Sequence, residues 1–123
     1  MPHRFSIAAR LQRFRYAGRG IGYLLRREHN AWIHAAAAIA VIGLGVGLHV
    51  SAADWRWLIV AIAMVLAGEA LNTAFERVCD LVSPGPNELV RIAKDVSAAA
   101  VLVLAIGAAL IGLITFAPYI FTS

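Results

Sequence analysis

Charged residues and cysteine are both scarce in this sequence, and each scarcity excludes a class of protein. Only 15% of the 123 residues are charged while 61% are hydrophobic, a balance too apolar for an ordinary soluble domain. The single cysteine, Cys79, excludes an intrachain disulfide, and no set of Cys and His residues has the spacing of a zinc site. The Gly-Lys-Ser/Thr triplet of a P-loop is also absent. We therefore expect one small membrane domain that comprises residues 1–123.

Three apolar segments are free of charge for long enough to cross a membrane. Residues 31–50 contain no Asp, Glu, Lys or Arg, and about 20 apolar residues cross a bilayer. Residues 57–68 are equally uncharged, and residues 96–121 form the third run. The second helix should continue through a polar segment to about residue 80. We predict an all-α membrane protein with transmembrane helices at residues 31–50, 57–80 and 96–121.

The basic residues are concentrated at the start of the chain. Seven of the eleven lie before the first acid, Glu28. Because Lys and Arg mark the cytoplasmic side of membrane proteins, the N-terminus is predicted to be cytoplasmic. In residues 5–27, apolar side chains recur at three- and four-residue steps between the arginines, which predicts an amphipathic helix on the membrane surface. The partner of these arginines is then anionic lipid headgroups and not nucleic acid.

The most informative segment is residues 69–80 (EALNTAFERVCD), where polar groups interrupt an otherwise apolar helix. At about 100° per residue, Asn72, Glu76 and Asp80 fall within roughly 60° of Glu69 around the helix. A carboxylate in hydrocarbon costs about 2.5 kcal/mol or more, so acids there generally face a bundle interior and serve a function. The alignment predicts a functional site that runs from the lipid phase to the water phase.

These residues suit a reaction between a membrane-embedded alcohol and a soluble phosphate donor. Glu69 is placed to accept a proton from a lipid hydroxyl, and Asn72 to orient a hydroxyl or a phosphate oxygen. Glu76 is placed to hold Mg²⁺, which prefers carboxylate oxygens together with substrate phosphates. Lys94, which opens the third span beside Asp95, is suited to neutralise a transferring phosphoryl group.

Simpler explanations compete with these assignments. Glu76 would also be expected at a solvated helix end, and Arg91 and Asp95 have the spacing of a surface ion pair. His34 either binds a ligand or is an interfacial histidine with ordinary partners. Glu69 has the weakest simple explanation, because it lies furthest from water. Two other functions are open at this point: a transporter with Glu69 as its proton-coupling residue, and a non-catalytic assembly factor.

Residues 69–80, together with Ala93-Lys94-Asp95, resemble the signature of the prokaryotic integral-membrane diacylglycerol kinase and undecaprenol kinase family. The resemblance extends to the chain length, the three spans, the amphipathic N-terminal helix and the glutamate before the first span. It implies a lipid kinase of the bacterial inner membrane that uses Mg²⁺ and ATP. It also implies a homotrimer of three-span protomers, with active sites shared between neighbouring chains.

The resemblance further implies roles for six residues of this chain. They are Glu69 as catalytic base, Glu28 and Glu76 as ligands of the metal that accompanies ATP, Asn72 as a polar residue of the site, and Lys94 and Asp95 as a pair in the nucleotide-binding region. ATP enters through the resemblance, since composition and spacing do not name it.

The acceptor is inferred from residues 27–34 (REHNAWIH). They resemble the Glu-x-Asn-x-x-x-His pattern of the undecaprenol kinase branch more than the diacylglycerol branch, so undecaprenol is favoured and diacylglycerol is the alternative. The sequence departs from the family where Pro86-Asn87 replaces an aromatic–histidine pair, Phe75 an aliphatic residue, and Cys79 a common valine. These departures concern loop geometry and acceptor preference, and they leave the core reaction unchanged.

Overall fold

A computed structural model describes residues 4–121, and these form four α-helices without a strand. The helices are α1 (Ile7–Arg27), α2 (His29–Gly47), α3 (Ala52–Val82) and α4 (Glu88–Phe121). The last three are long and apolar enough to cross a membrane. The predicted fold class, three apolar spans preceded by an amphipathic helix, is therefore confirmed. Residues 1–3 and 122–123 lie outside the described part of the chain.

The helix α1 begins and ends at clear local signals. The Ser6 side chain accepts a hydrogen bond from the backbone N–H of Ala9 at 3.3 Å, which is an N-cap. The helix ends at Glu28, whose backbone is extended. No residue of α1 is buried, and Phe14 on its apolar stripe is 76% exposed. This helix therefore keeps an apolar face free to lie on a membrane surface.

The turn between α2 and α3 is tied to the far end of α4. His49 takes a left-handed conformation with φ 55°, which ends α2 at Gly47, before the predicted residue 50. Ser51 caps α3 by accepting from the Asp54 N–H at 3.1 Å. The Tyr119 hydroxyl of α4 donates to Asp54 at 2.6 Å and accepts from the Ser51 N–H at 3.0 Å. These bonds fix one end of the bundle, here called the outer end.

The helix α3 is the central element, since it packs against α1, α2 and most extensively α4. Its buried stripe starts apolar at Leu58, Ala61 and Val65 and becomes polar at Glu69 and Asn72. At 1.5 Å per residue, its 31 residues span about 46 Å, whereas the hydrocarbon core is about 30 Å thick. A helix of this length that starts at one face of the membrane therefore extends into water beyond the other face. That end, where α1 also lies, is here called the α1 end.

Side chains of the loop between α3 and α4 form hydrogen bonds that close the turn and cap the start of α4. Ser83 donates its hydroxyl proton to the Gly85 carbonyl at 2.8 Å, closing the turn. Asn87 accepts from the Val90 N–H at 3.1 Å, in the manner of an N-cap. The helix α4 therefore begins at Glu88, eight residues before the predicted start of the span at residue 96. The extra turns carry Lys94 and Asp95.

Candidate active site

The polar stripe of α3 is buried at Glu69 and Asn72 and becomes exposed at Asp80. Glu69 is 3% exposed and Asn72 8%. The Asn72 side-chain N–H donates to Glu76 Oε1 at 3.2 Å, one turn along the helix. From α4, the Ser97 hydroxyl donates to Asn72 Oδ1 at 2.7 Å. The amide of Asn72 is thus held on both sides, and its orientation is set by two helices.

The Glu69 carboxylate also contacts a side chain of α2. Its Oε2 lies 3.6 Å from His34 Nε2, which is an ion-pair distance if the imidazole is protonated and is slightly long for a hydrogen bond. One turn along α3, the Thr73 hydroxyl is also buried, next to the Glu69 carboxylate.

An apolar cavity of about 260 Å³ reaches His34, the residue that contacts this carboxylate. It lies between α2, α3 and α4, and His34 is the polar residue of its lining. Six alanines make up much of the wall, namely Ala37, Ala38, Ala61, Ala105, Ala108 and Ala109. The same histidine therefore contacts the cavity on one side and Glu69 on the other. An apolar chain in the cavity would reach the histidine that contacts the buried carboxylate.

Lys94 and Asp95 follow each other in sequence but face different partners. Lys94 Nζ donates to Asp80 Oδ1 at 2.5 Å, and its charge also acts on Glu76. Lys94 therefore contacts the polar stripe at Asp80. Asp95 is 68% exposed and accepts from Arg91 Nη1 at 2.9 Å. Within one chain, the simpler explanation of Arg91 and Asp95 as a surface pair describes their geometry.

Glu28 reaches the α1 end of α3 through an arginine that our sequence analysis did not single out. Its carboxylate accepts from Arg77 Nη2, and Arg77 Nε donates to the Tyr23 hydroxyl at 2.8 Å. Glu28 and Glu76 both lie within electrostatic reach of Glu69. Of the six candidate residues, five therefore gather around one stripe of α3, and Asp95 is the exception.

The donor chemistry fits a metal that arrives with a nucleotide. Within residues 4–121, no group of three or more His, Cys, Asp or Glu side chains is arranged to hold a metal ion. Glu28 and Glu76 supply carboxylate oxygens, and Mg²⁺ is generally held by one or two carboxylates together with substrate phosphates. Two carboxylates, completed by the phosphates of a bound nucleotide, match this description of a Mg²⁺ site.

Three contact residues were missed as site members by sequence reasoning, for different reasons. Ser97 lies three residues after Lys94 on α4, so helical periodicity could have found it. His34 was considered, but its contact with Glu69 depends on how α2 packs against α3. Arg77 meets Tyr23 across 54 positions of sequence, and no local pattern indicates such a pair.

Comparison with known proteins gives the family. A sequence model of the family described as prokaryotic diacylglycerol kinase matches residues 15–116. An undecaprenol kinase of Bacillus subtilis is 38% identical over 116 residues, which cover 94% of each chain. A diacylglycerol kinase of Synechocystis sp. is 41% identical over 100 residues, which cover 80% of this chain and 57% of that relative. The chain therefore belongs to the prokaryotic diacylglycerol kinase family, and it is a multi-pass membrane lipid kinase.

Proposed function

We propose that this protein transfers the γ-phosphoryl group of Mg-ATP to the hydroxyl of undecaprenol, with diacylglycerol as the alternative acceptor. One observation carries the proposal. Glu69 lies between His34, which lines an apolar cavity, and a hydrogen-bonded polar stripe that continues toward water. A kinase that joins a lipid alcohol to a soluble nucleotide needs such a boundary, because its two substrates come from different phases.

In this proposal Glu69 is the general base. It takes the proton from the lipid hydroxyl as that oxygen attacks the γ-phosphorus in line with the leaving ADP oxygen. His34 lies beside the carboxylate and orients it toward the end of the cavity. Asn72 orients the reacting oxygens, since Ser97 and Glu76 hold its amide in one direction.

The nucleotide binds at the α1 end of the stripe. Glu76 and Glu28 would hold the Mg²⁺ that accompanies ATP, and this metal supplies charge neutralisation between the phosphates when it is bound. Lys94 binds a phosphate oxygen, for which it exchanges its contact with Asp80. Asp95 serves the nucleotide-binding region, and in a homotrimer its outward-facing carboxylate would serve the site of a neighbouring chain.

Undecaprenol is favoured over diacylglycerol on two grounds. Residues 27–34 carry the Glu-x-Asn-x-x-x-His pattern, whose histidine, His34, contacts Glu69. The Bacillus undecaprenol kinase matches along nearly its whole length, which supports the same choice.

The proposed placement is the cytoplasmic membrane of a bacterium with α1 on the cytoplasmic side. Seven of the eleven basic residues precede Glu28, as expected for a cytoplasmic segment, and ATP is available on that side. The arginines of α1 then face anionic headgroups while its exposed apolar stripe enters the bilayer surface.

The experiment is phosphate transfer from labelled ATP by the purified protein in mixed micelles. Undecaprenol and diacylglycerol are offered in parallel, each with Mg²⁺ and with a chelator. We expect transfer that requires the metal and is faster to undecaprenol. Equal or faster transfer to diacylglycerol would move the protein to the other branch. Folded protein that phosphorylates neither lipid would contradict the proposal.

A further inference from the structure

Arg77 joins three elements at the α1 end, yet the proposed reaction gives it no role. It follows Glu76 on α3 and is 45% exposed. Its guanidinium donates to Tyr23 of α1 at 2.8 Å and lies over that ring, with 5.8 Å to the centroid. It also donates to the Glu28 carboxylate, and it lies 3.9 Å from Asp80.

The position of Glu28 between two helices makes its contact with Arg77 important for the orientation of its carboxylate. Glu28 sits between two helices with an extended backbone of φ −114° and ψ 113°, and its side chain is 17% exposed. Tyr23, in contrast, lies within α1 and supplies a fixed acceptor for Arg77. The planar guanidinium, with several donors in a rigid fork, can hold a carboxylate in one orientation while bound to a second group. Arg77 thus connects the Glu28 carboxylate to α3, which carries the arginine, and to α1, which carries Tyr23.

We propose that Arg77 is a positioning residue, which holds the Glu28 carboxylate beside Glu76 at the place where the metal–nucleotide complex binds. This inference rests on the proposed function, because it takes Glu28 as a ligand of the metal that comes with ATP. Partners of a metal-ligating carboxylate typically change metal affinity or activity about 10–100-fold when they are removed. Removal of an exposed ion pair that served stability alone would have little effect on stability or on the affinity for Mg-ATP.

The test compares Arg77→Ala, Arg77→Lys and the matched control Arg26→Ala. Arg26 is a cation of the same end, and its side chain donates to the Gly22 carbonyl of its own helix. Calorimetry measures binding of a Mg²⁺-loaded, non-hydrolysable ATP analogue without lipid acceptor, and kinetics separate KM for Mg-ATP from kcat. We expect Arg77→Ala to raise both Kd and KM about tenfold or more with kcat retained, and Arg77→Lys to recover part of the loss. Unchanged affinity in Arg77→Ala, or an equal loss in Arg26→Ala, would overturn the inference.

A second comparison separates positioning from direct contact with the nucleotide. If Arg77 acts through Glu28, then adding Arg77→Ala to Glu28→Gln should leave Kd where the single Glu28→Gln change puts it. Additive losses would overturn the positioning role. If Arg77→Ala does not fold, Tyr23→Phe removes the anchoring bond and keeps the arginine, and affinities unchanged in both Tyr23→Phe and Arg77→Lys would overturn it as well.

The outcome for Arg77 is distinguishable from the outcome for the proposed function. Lipid phosphorylation by the unmodified protein tests the function by itself. Unaltered Mg-ATP affinity in the Arg77 variants of an active lipid kinase would remove only the inference about Arg77.

Discussion

Glu69 is the residue on which the proposed chemistry depends most. The fold leaves it 3% exposed, between His34 on one side and the polar stripe on the other. A carboxylate so placed in a membrane protein is expensive to keep, and packing does not explain it because an apolar residue would fill the same space at lower cost. Function is the better explanation of its presence.

Replacement of Glu69 by Gln keeps the size of the side chain and removes the proton acceptor. We expect kcat to fall by about 10²–10⁴-fold, the usual contribution of a general base, while binding of the Mg²⁺–nucleotide analogue persists. Glu88→Gln is the matched control, since Glu88 is an exposed carboxylate of the α1 end that pairs with Arg91. Substantial activity in folded Glu69→Gln protein would remove Glu69 from the role of base.

Glu76 can be tested without disturbing the stripe around it. A Gln at this position can still accept the hydrogen bond from Asn72, but it lacks the charge that Mg²⁺ prefers. We expect Glu76→Gln to raise the Mg²⁺ concentration needed for half-maximal nucleotide binding by about tenfold or more. Titration of Mg²⁺ against a fixed concentration of the ATP analogue measures the shift. An unaltered Mg²⁺ dependence would contradict the assignment of Glu76 as a metal ligand.

At the scale of elements, the outer end of the bundle depends on Tyr119. Its hydroxyl connects α4 to both the N-cap and the first turn of α3, through Ser51 and Asp54. The site lies at the other end of the same two helices, where Ser97 and Lys94 of α4 contact α3. The hydrogen bonds of Tyr119 at the outer end therefore help to align α4 along α3.

Tyr119→Phe removes both hydrogen bonds and keeps the ring. Because one of them ends on a carboxylate, we expect the free energy of unfolding to fall by about 1–3 kcal/mol. Thermal denaturation in a single detergent measures the difference. Tyr16→Phe is the control, since that exposed hydroxyl only accepts a 3.4 Å bond from Gln12 on α1. Equal thermal stability of the two variants would show that the Tyr119 bonds contribute nothing net.

At the scale of the whole molecule, the proposed homotrimer with shared sites gives Asp95 its role. Asp95 faces away from the stripe of its own chain, whereas Glu69 is buried in that stripe. If Asp95 of one chain completes the site of another, two differently damaged chains can form an intact site together. Such rescue does not occur for two changes that fall on the same stripe.

We therefore expect mixed refolding of Asp95→Asn and Glu69→Gln proteins, each inactive alone, to restore part of the lipid phosphorylation. The control mixes Glu69→Gln with Glu76→Gln, both on the α3 stripe, and should restore little. Transfer of label from ATP to lipid is the readout. Equal recovery in the two mixtures, or none in the first, would argue against a site that Asp95 completes from a neighbouring chain.

Much of the fold could be predicted because lipid imposes a strict condition on sequence. Uncharged runs near residues 31–50 and 96–121 mark the spans, since every charge in hydrocarbon is costly. The observed helices differ from the predicted spans at their ends. The helices α3 (Ala52–Val82) and α4 (Glu88–Phe121) are longer than the spans predicted for them. The reason is that hydropathy detects the part of a helix that lies in lipid and not its continuation into water.

Some residues of the candidate site could be predicted from local sequence spacing, and others could not. Glu69, Asn72 and Glu76 lie on one helix, and helical periodicity alone aligns them. Ser97 and His34 join them from α4 and α2, and that depends on how those helices pack against α3. Sequence spacing does not specify packing between helices.

The sequence by itself determined that the chain is a three-span helical membrane protein with an aligned polar stripe, because helical geometry and the cost of charge in lipid act locally. Only the tertiary structure decided which groups meet that stripe. It brings His34, together with the apolar cavity that His34 lines, to Glu69, and it ties Glu28 to Arg77. These contacts join residues far apart in the chain, so they depend on the packing of side chains between helices, which no single segment encodes.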